Sequence, residues 1–241
     1  MKTIHLEIID STNTYAKEHF HEFDRDEITC IYADQQTAGR GRFDRSWFSP
    51  ASENIYATFA FQLPASALHL TSLAQVMNLS LANIFLREED LYPRIKWPND
   101  VQLNGKKVSG VLCETRFDKE TVEIFLGIGV NVNMTAEELA QIDQKATSLR
   151  EETGKKWDRD QLLKKLQVQF FVDLEKFKRS GFIPFHDQLE NLLAYKGETV
   201  RCLDGAKEIS GICHSITSDG RLNLRLSSGE MKKISSGDLS L

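Results

Sequence analysis

Residues 35–50 read Gln35-Gln-Thr-Ala-Gly-Arg-Gly-Arg-Phe-Asp-Arg-Ser-Trp-Phe-Ser-Pro50. The segment follows one stretch rich in β-branched and apolar residues (28–33) and precedes another (55–62), so it joins two strands. It is not the phosphate-binding pattern GxxxxGK[ST]. Its Gly39-Arg-Gly is followed by no helix and is therefore no dinucleotide fingerprint. Outward from this loop, strands are predicted at 4–9, 94–97, 107–116 and 122–128, and helices at 12–20, 71–88, 136–142 and 159–179. In the second helix, apolar residues at 73, 76, 77, 81, 84 and 85 recur on one face. Asp158 supplies an N-cap signal for the last, whose stripe is Leu162, Leu166, Phe170, Leu174 and Phe177. Strands alternating irregularly with helices predict an α+β fold, a mixed, largely antiparallel sheet backed by helices.

Residues 197–241 differ. They hold six of the 14 glycines (197, 205, 211, 220, 229, 237), and no proline follows Pro184. Short apolar alternations between those glycines predict strands joined by tight turns. The expected organisation is a domain over 1–194 and a small barrel over 195–241.

The 241 residues carry 30 Lys+Arg against 35 Asp+Glu, a net charge of −5. A generally basic nucleic-acid binder is excluded. The N-terminus is too short in apolar residues and too charged for a signal peptide, and no run of apolar residues is long enough to span a membrane. Cys30, Cys113, Cys202 and Cys213 show no CxxC spacing, which predicts buried reduced thiols in a cytoplasmic protein.

Within this acidic chain the loop carries Arg40, Arg42 and Arg45 against Asp44. Glycine lets backbone approach a ligand, and planar guanidinium groups fork onto phosphate or carboxylate oxygens. A solvated basic loop would have the same composition. A second basic island, residues 94–107, sets Arg94, Lys96, Lys106 and Lys107 against Asp100. Pro98-Asn99-Asp100 reads as a turn and Asn104-Gly105 as a hairpin tip. Asp100 is either a turn aspartate or a carboxylate that orients a cation or Mg2+ near phosphates. In Gly127-Ile-Gly-Val-Asn131, glycines inside a strand mark a close approach. Asp10-Ser-Thr-Asn-Thr14 lies at a strand-to-helix junction where Ser11 or Thr12 is a natural N-cap.

Taken in order, Ser11-Thr-Asn13, Gln36-Thr-Ala-Gly-Arg-Gly-Arg42 with Arg45 and Trp47, Lys96-Trp-Pro-Asn-Asp100, Gly105-Lys-Lys-Val-Ser-Gly110 and Gly127-Ile-Gly-Val-Asn131 resemble the biotin protein ligase family. The tail ending Ser236-Gly-Asp-Leu-Ser-Leu241 is similar to that family's SH3-like C-terminal domain. The resemblance implies a fold like that of class II aminoacyl-tRNA synthetases and biotin ligases. It also implies a reaction: biotin and ATP form biotinyl-5′-AMP and pyrophosphate, then the biotinyl group passes to one lysine of a biotin carboxyl carrier protein or another biotin-dependent carboxylase domain. Mg2+ is the implied metal, with Asp100 as its residue.

By the same resemblance Lys107, Arg40 and Arg42 are catalytic. Ser11, Thr12, Asn13, Gln36, Gly39, Arg40, Arg42, Lys107, Gly110 and Gly127 bind biotin. Arg40, Arg42, Arg45, Trp47, Lys107 and Asn131 bind ATP and the adenylate. The Arg/Gly loop is expected to order over the ligand and exclude water. Relatives that repress transcription carry an N-terminal helix-turn-helix. Here the matching pattern begins at residue 3, so neither operator binding nor any nucleic-acid or membrane partner is expected, and the protein is expected as monomer or homodimer. Two rivals are a lipoate–protein ligase or octanoyltransferase of similar fold, and a non-catalytic module that binds an adenylate or a carrier domain.

Overall fold

The computed structural model describes residues 1–67, 70–88, 90–204 and 207–241; Gly205 and the side chains of Asp44 and Asp204 lie outside the described set. Seven strands form the main sheet: β1 (Lys2–Ile9), β2 (Thr29–Gln36), β3 (Ile55–Pro64), β4 (Arg94–Lys96), β5 (Asp100–Leu103), β6 (Lys106–Phe117) and β7 (Thr121–Val130). Their order is β1-β2-β3-β7-β6-β5-β4, with β1 and β2 parallel and every other pair antiparallel. The sheet is mixed and largely antiparallel, as the sequence predicts.

Alternation along the strands sorts side chains onto two faces. On one face Ile31, Ala60 and Phe125 pack with Ala16 of α1 (Thr12–His19) and with Phe20 and Phe23. On the other, Phe59 and Phe61 meet Phe170 of α5 (Arg159–Ser180), and α2 (Leu73–Phe85) lies against α5 and the sheet. All of α2 but Asn83 is buried, so its predicted stripe is the densest part of a helix surrounded on all sides. The stripe of α5 is buried as expected, and Asp158 accepts the backbone N–H of Gln161 at 2.9 Å, completing the N-cap.

Three short elements escape sequence periodicity: α4 (Leu149–Thr153), α6 (His186–Leu192) and β5. Between α2 and α4 lies α3 (Ala136–Leu139), capped by a reciprocal Thr135–Glu138 box. Asp100 is not a turn residue but the first of β5, paired with Lys96 and Gly110. The tip Asn104-Gly105 does turn with positive φ at both residues, 49° and 73°.

A second, antiparallel sheet of β8 (Thr199–Asp204), β9 (Lys207–Ile216), β10 (Leu222–Arg225), β11 (Met231–Ile234) and β12 (Asp238–Ser240) runs in the order β11-β10-β9-β8-β12. Its interior is Val200, Cys202, Cys213, Ile216, Leu222, Leu224, Ile234 and Leu239. The two sheets meet through buried hydrogen bonds: Trp97 Nε1 and Gln75 Nε2 both donate to the Gly220 carbonyl, at 3.0 and 2.7 Å. No disulfide joins the four cysteines, and burial pushes the thiols of Cys30 and Cys113 up to about 12 and that of Cys213 to about 11. Among the described residues no helix is long and apolar enough to cross a membrane.

Candidate active site

The face of the sheet that carries α1 is only half covered. Beyond Phe125 the same face continues through two cross-strand rows: Thr58, Gly127 and Leu112, then Tyr56, Gly129, Gly110 and Asp100. Three glycines in adjacent register positions leave a floor with no side chains. The cleft above it is walled by the N-terminus of α1 and the loop 40–47, and it is closed by Lys107, Asn99 and Asp238.

Each glycine is required by what approaches it. A Cβ at 127 would collide with Asn13 Oδ1, one at 129 with the Trp47 indole, and one at 110 would meet Lys107 Cε at 2.9 Å and Trp47 Cζ3 at 3.0 Å. Gly110 and Gly129 thus let Trp47 lie flat on the sheet, with Lys107 Nζ 5.2 Å from its ring centroid.

One end of the cleft is neutral and saturated with hydrogen bonds. Ser11 occupies the N-cap position of α1, but its side chain makes no capping bond. Gln36 of β2 does the capping instead: its Oε1 accepts from the Thr12 backbone N–H at 2.9 Å and from Thr12 Oγ1 at 3.2 Å. Asn13 Oδ1 accepts from Thr58 Oγ1 (2.6 Å), while Asn13 Nδ2 donates to Glu114 Oε2 (2.9 Å) and to the carbonyls of Leu112 and Phe125. Its amide is fully committed, so Asn13 shapes the wall while Ser11 keeps a free hydroxyl. Gln36 Nε2 donates to Ser49 Oγ at 3.2 Å across a contact so tight that a Cβ at Gly39 would meet Gln36 Nε2 at 2.9 Å. Gly39 is needed for this packing and does not line the cleft.

The other end is charged. Lys107 Nζ sits 3.0 Å from Asp100 Oδ1, with the two side chains 16% and 9% exposed. The contact is an ion pair outside hydrogen-bond geometry, and it leaves Asp100 Oδ1 buried without a hydrogen bond. Arg42 donates to Asn99 Oδ1 at 3.1 Å and to the Gly237 carbonyl at 3.0 Å; burial depresses its pKa against the pull of Asp238 and Asp100. Arg45 pairs with Asp238 at 2.6 Å, as does Lys96 at 3.3 Å.

Of the predicted residues Gly39 and Asn131 do not line the cleft, and Arg40 lines it away from Lys107. Arg40 does not join Lys107 but turns to the neutral end, 3.3 Å from Thr14 Oγ1 and 3.6 Å from Glu114. Asn131 Nδ2 donates to the Thr147 carbonyl at 3.0 Å, tying down the strand-like 145–147 segment that also bonds Lys107. Sequence reading missed Glu114, Asp238, Asn99 and Thr58. Glu114 had a usable signal, since it lies on the floor's side of β6 at even spacing from Gly110, and Asn99 stands inside the Lys96–Asp100 run; Thr58 and Asp238 had none. Among the described residues, no three His, Cys, Asp or Glu side chains cluster as a metal cage.

Residues 5–131 match the model of the biotin/lipoate A/B protein ligase family and 196–241 that of the biotin protein ligase C-terminal domain. The chain is 33% identical over 237 residues to the bifunctional ligase/repressor BirA of Salmonella typhimurium, covering 98% of this chain and 73% of that protein. It is 33% identical over 201 residues to the biotin–[acetyl-CoA-carboxylase] ligase of Paracoccus denitrificans, covering 81% of this chain and 83% of the other. Among solved structures it resembles the biotin protein ligase of Aquifex aeolicus in complex with biotin and ATP, at 34% identity and a TM-score of 0.83 over 99% of this chain and 97% of that one.

Proposed function

This chain belongs to the biotin/lipoate A/B protein ligase family, and from that premise we propose that its cleft carries out both half-reactions of a biotin–protein ligase. The observation that carries the proposal is the Lys107–Asp100 pair standing between a neutral, hydrogen-bonding end and an arginine-rich end on one glycine floor. Biotin joins those same two chemistries: an uncharged ureido ring and a carboxylate that must meet a triphosphate.

In the first half-reaction a biotin carboxylate oxygen attacks the α-phosphorus of ATP. The bond to the β-phosphate breaks, and pyrophosphate leaves. Two anions must be held together, so preorganised cations at the reacting atoms carry the catalysis. Lys107 is a flexible point charge, nearly buried and paired with a single carboxylate. It follows charge from the biotin carboxylate to the phosphate as the reaction proceeds. Arg42 and Arg45 receive the phosphates. Ser11, Thr12 and Gln36 read the ureido and thioether end, where an ill-fitting ligand leaves buried polar groups unpaired. Trp47 packs against the adenine.

In the second half-reaction the unprotonated ε-amine of a carrier lysine attacks the adenylate carbonyl. The amide bond forms, AMP leaves, and the amine's proton is released. Asp100 fits Mg2+ as the single carboxylate such an ion takes alongside phosphates, and the ion would neutralise phosphate charge there. The acceptor we propose is a biotin carboxyl carrier domain, and the compartment the cytoplasm, for which four cysteines without a disulfide between them argue.

The test is to incubate the protein with ATP, Mg2+, a carrier domain and either biotin or lipoate. Pyrophosphate release and a biotinyl mass increment on one carrier lysine are expected. Incorporation of lipoate in place of biotin, or no pyrophosphate with either acid, overturns the reading.

A further inference from the structure

We propose that Asp238, the first residue of β12, is a positioning residue of the cleft: it clasps Arg45 and Lys96 and so holds the loop 39–47 shut over the reacting atoms from the C-terminal sheet. The proposal rests on the ligase reading above for its consequence, but not for its geometry.

The loop's own hydrogen bonds give it shape without position. Gly41 N–H donates to the Arg45 carbonyl (2.7 Å), Arg45 N–H to the Arg42 carbonyl (3.3 Å) and Trp47 N–H to the Gly39 carbonyl (2.8 Å), which closes a narrow hairpin. Its apex is Phe43, 56% exposed with φ 56° and ψ 41°, a left-handed conformation that a bulky residue keeps only when its flanks are pinned. Position comes from side chains. Of the three arginines, Arg40 reaches α1 and β6, while Arg42 and Arg45 reach across the cleft to the C-terminal sheet, 195 and 193 residues away in sequence.

Asp238 is built for two cations. Its Oδ2 is 2.6 Å from Arg45 and its Oδ1 is 3.3 Å from Lys96 of β4, so one carboxylate ties the loop, the edge of the main sheet and β12 together. Its backbone neighbour adds a second tie, because the Gly237 carbonyl accepts from Arg42. Gly237 cannot be replaced cheaply: its φ is 140°, and a Cβ there would lie 2.5 Å from Cys202 Sγ and 3.1 Å from the Leu203 carbonyl. The main chain is therefore pressed onto β8, which fixes the direction of both the carbonyl and the carboxylate. Burial of Asp238 favours the neutral acid, but Lys96 and Arg45 outweigh it and hold the carboxyl below the ordinary range. Asp238 thus remains an anion throughout neutral pH.

A loop held this way keeps the mixed anhydride from water and from stray amines. Released, it would let the adenylate escape before the carrier arrives. The experiment compares the full-length protein with Asp238→Ala, the isosteric Asp238→Asn, the conservative Asp238→Glu, Arg45→Ala and the Arg45→Ala/Asp238→Ala double variant. Pyrophosphate released per carrier biotinylated, labelling of bystander lysines and the KM for ATP are measured. Hydrogen exchange of the Gly41 and Trp47 amides is followed with and without ligands.

Asp238→Ala and Asp238→Asn are expected to raise uncoupled pyrophosphate release and bystander labelling on the order of tenfold, as the loss of charge-assisted hydrogen bonds allows. Both should speed exchange at Gly41 and Trp47 and leave biotin affinity unchanged, and Asp238→Glu should restore coupling in part. Without nucleotide, where Arg45 has no phosphate to meet, exchange at Gly41 and Trp47 in the double variant should be no faster than in Asp238→Ala, since that substitution already breaks the Arg45 contact. Tight coupling with wild-type exchange in Asp238→Asn would overturn the clasp, and so would nucleotide-free exchange effects of the two single variants that multiply. A wild-type protein that releases no pyrophosphate defeats the ligase reading instead; the exchange rates still decide the clasp.

Discussion

The two ends of the cleft are made differently. The neutral end is assembled within about one hundred residues of the chain, from α1, β2, β3, β6 and β7, and its amides and hydroxyls bond one another and the Glu114 carboxylate, which Lys17 and Arg40 balance. The cationic end is assembled from residues far apart, and its cations are paired with carboxylates that belong to other elements: Lys107 with Asp100, Arg45 and Lys96 with Asp238. A neutral ligand group needs a rigid, pre-paired wall, because selectivity comes from leaving nothing unpaired when the right molecule binds. A charge that moves during the reaction needs cations that are held and yet free to be shared.

The largest effect separates the ends. Lys107→Ala should slow adenylation by about 10²–10³-fold, as loss of one transition-state donor does. Its unfolding midpoint should fall, because Asp100 is left buried without its partner, and isotopic ATP–pyrophosphate exchange below that midpoint reads the rate. A wild-type rate would remove Lys107 from the mechanism. Next, Gly127→Ala drives a methyl group into Asn13 Oδ1. Overpacking of this kind costs about 1–3 kcal/mol. Calorimetry should therefore show weaker biotin binding with ATP affinity little changed; equal loss of both ligands would mean that the two ends are not separable.

Glu114 sharpens the comparison through pH. Burial raises its pKa, but the hydrogen bonds from Asn13 and Lys17 and the charges of Lys17 and Arg40 outweigh this and hold it below its ordinary 4.5. A carboxyl depressed in the folded state stabilises above its unfolded value, and that contribution is lost as pH falls through the folded one. Glu114→Gln should accordingly lose stability at neutral pH and flatten the acid limb of the unfolding midpoint against pH. The smallest effect has the opposite sign. His186 of α6 is raised above 6.5 by Asp187 and by the Ile216 carbonyl of β9, which its Nε2 reaches at 2.9 Å. Its contribution is complete below 6.5 and fades as pH rises through the raised value. Because its partner Asp187 is fully exposed to solvent, the change should be a small, histidine-dependent drop in midpoint that His186→Gln removes.

Much of this was legible beforehand. The β-rich pattern with its buried helices predicts the mixed sheet, and the glycine spacing after residue 196 predicts a set of short antiparallel strands. The residues Thr12, Gln36, Arg42, Trp47, Lys107, Gly110 and Gly127 were singled out from the chain and do meet in one cleft. Local reasoning failed where a residue has two good local uses. Ser11 reads as an N-cap, yet Gln36 takes that role from across the sheet. Asp100 reads as a turn residue, yet it opens a four-residue strand too short and too polar for periodicity to reveal. Asn131 reads as a ligand contact, yet its amide serves the main chain at Thr147.

By itself, then, the sequence determined which residue types are available to the cleft and which strands must be bare. Residue type sets donor capacity and charge, and alternation along a strand puts glycines 127 and 129 on one face wherever that strand lies. Only the tertiary structure decided how the charges pair. Arg40 and Arg42, two residues apart on one loop, leave in opposite directions, one to Glu114 and the other to Asn99 and Gly237. A guanidinium pairs with whichever acceptor the fold brings within about 3 Å, and that proximity comes from packing across some two hundred residues of chain, which no local pattern encodes.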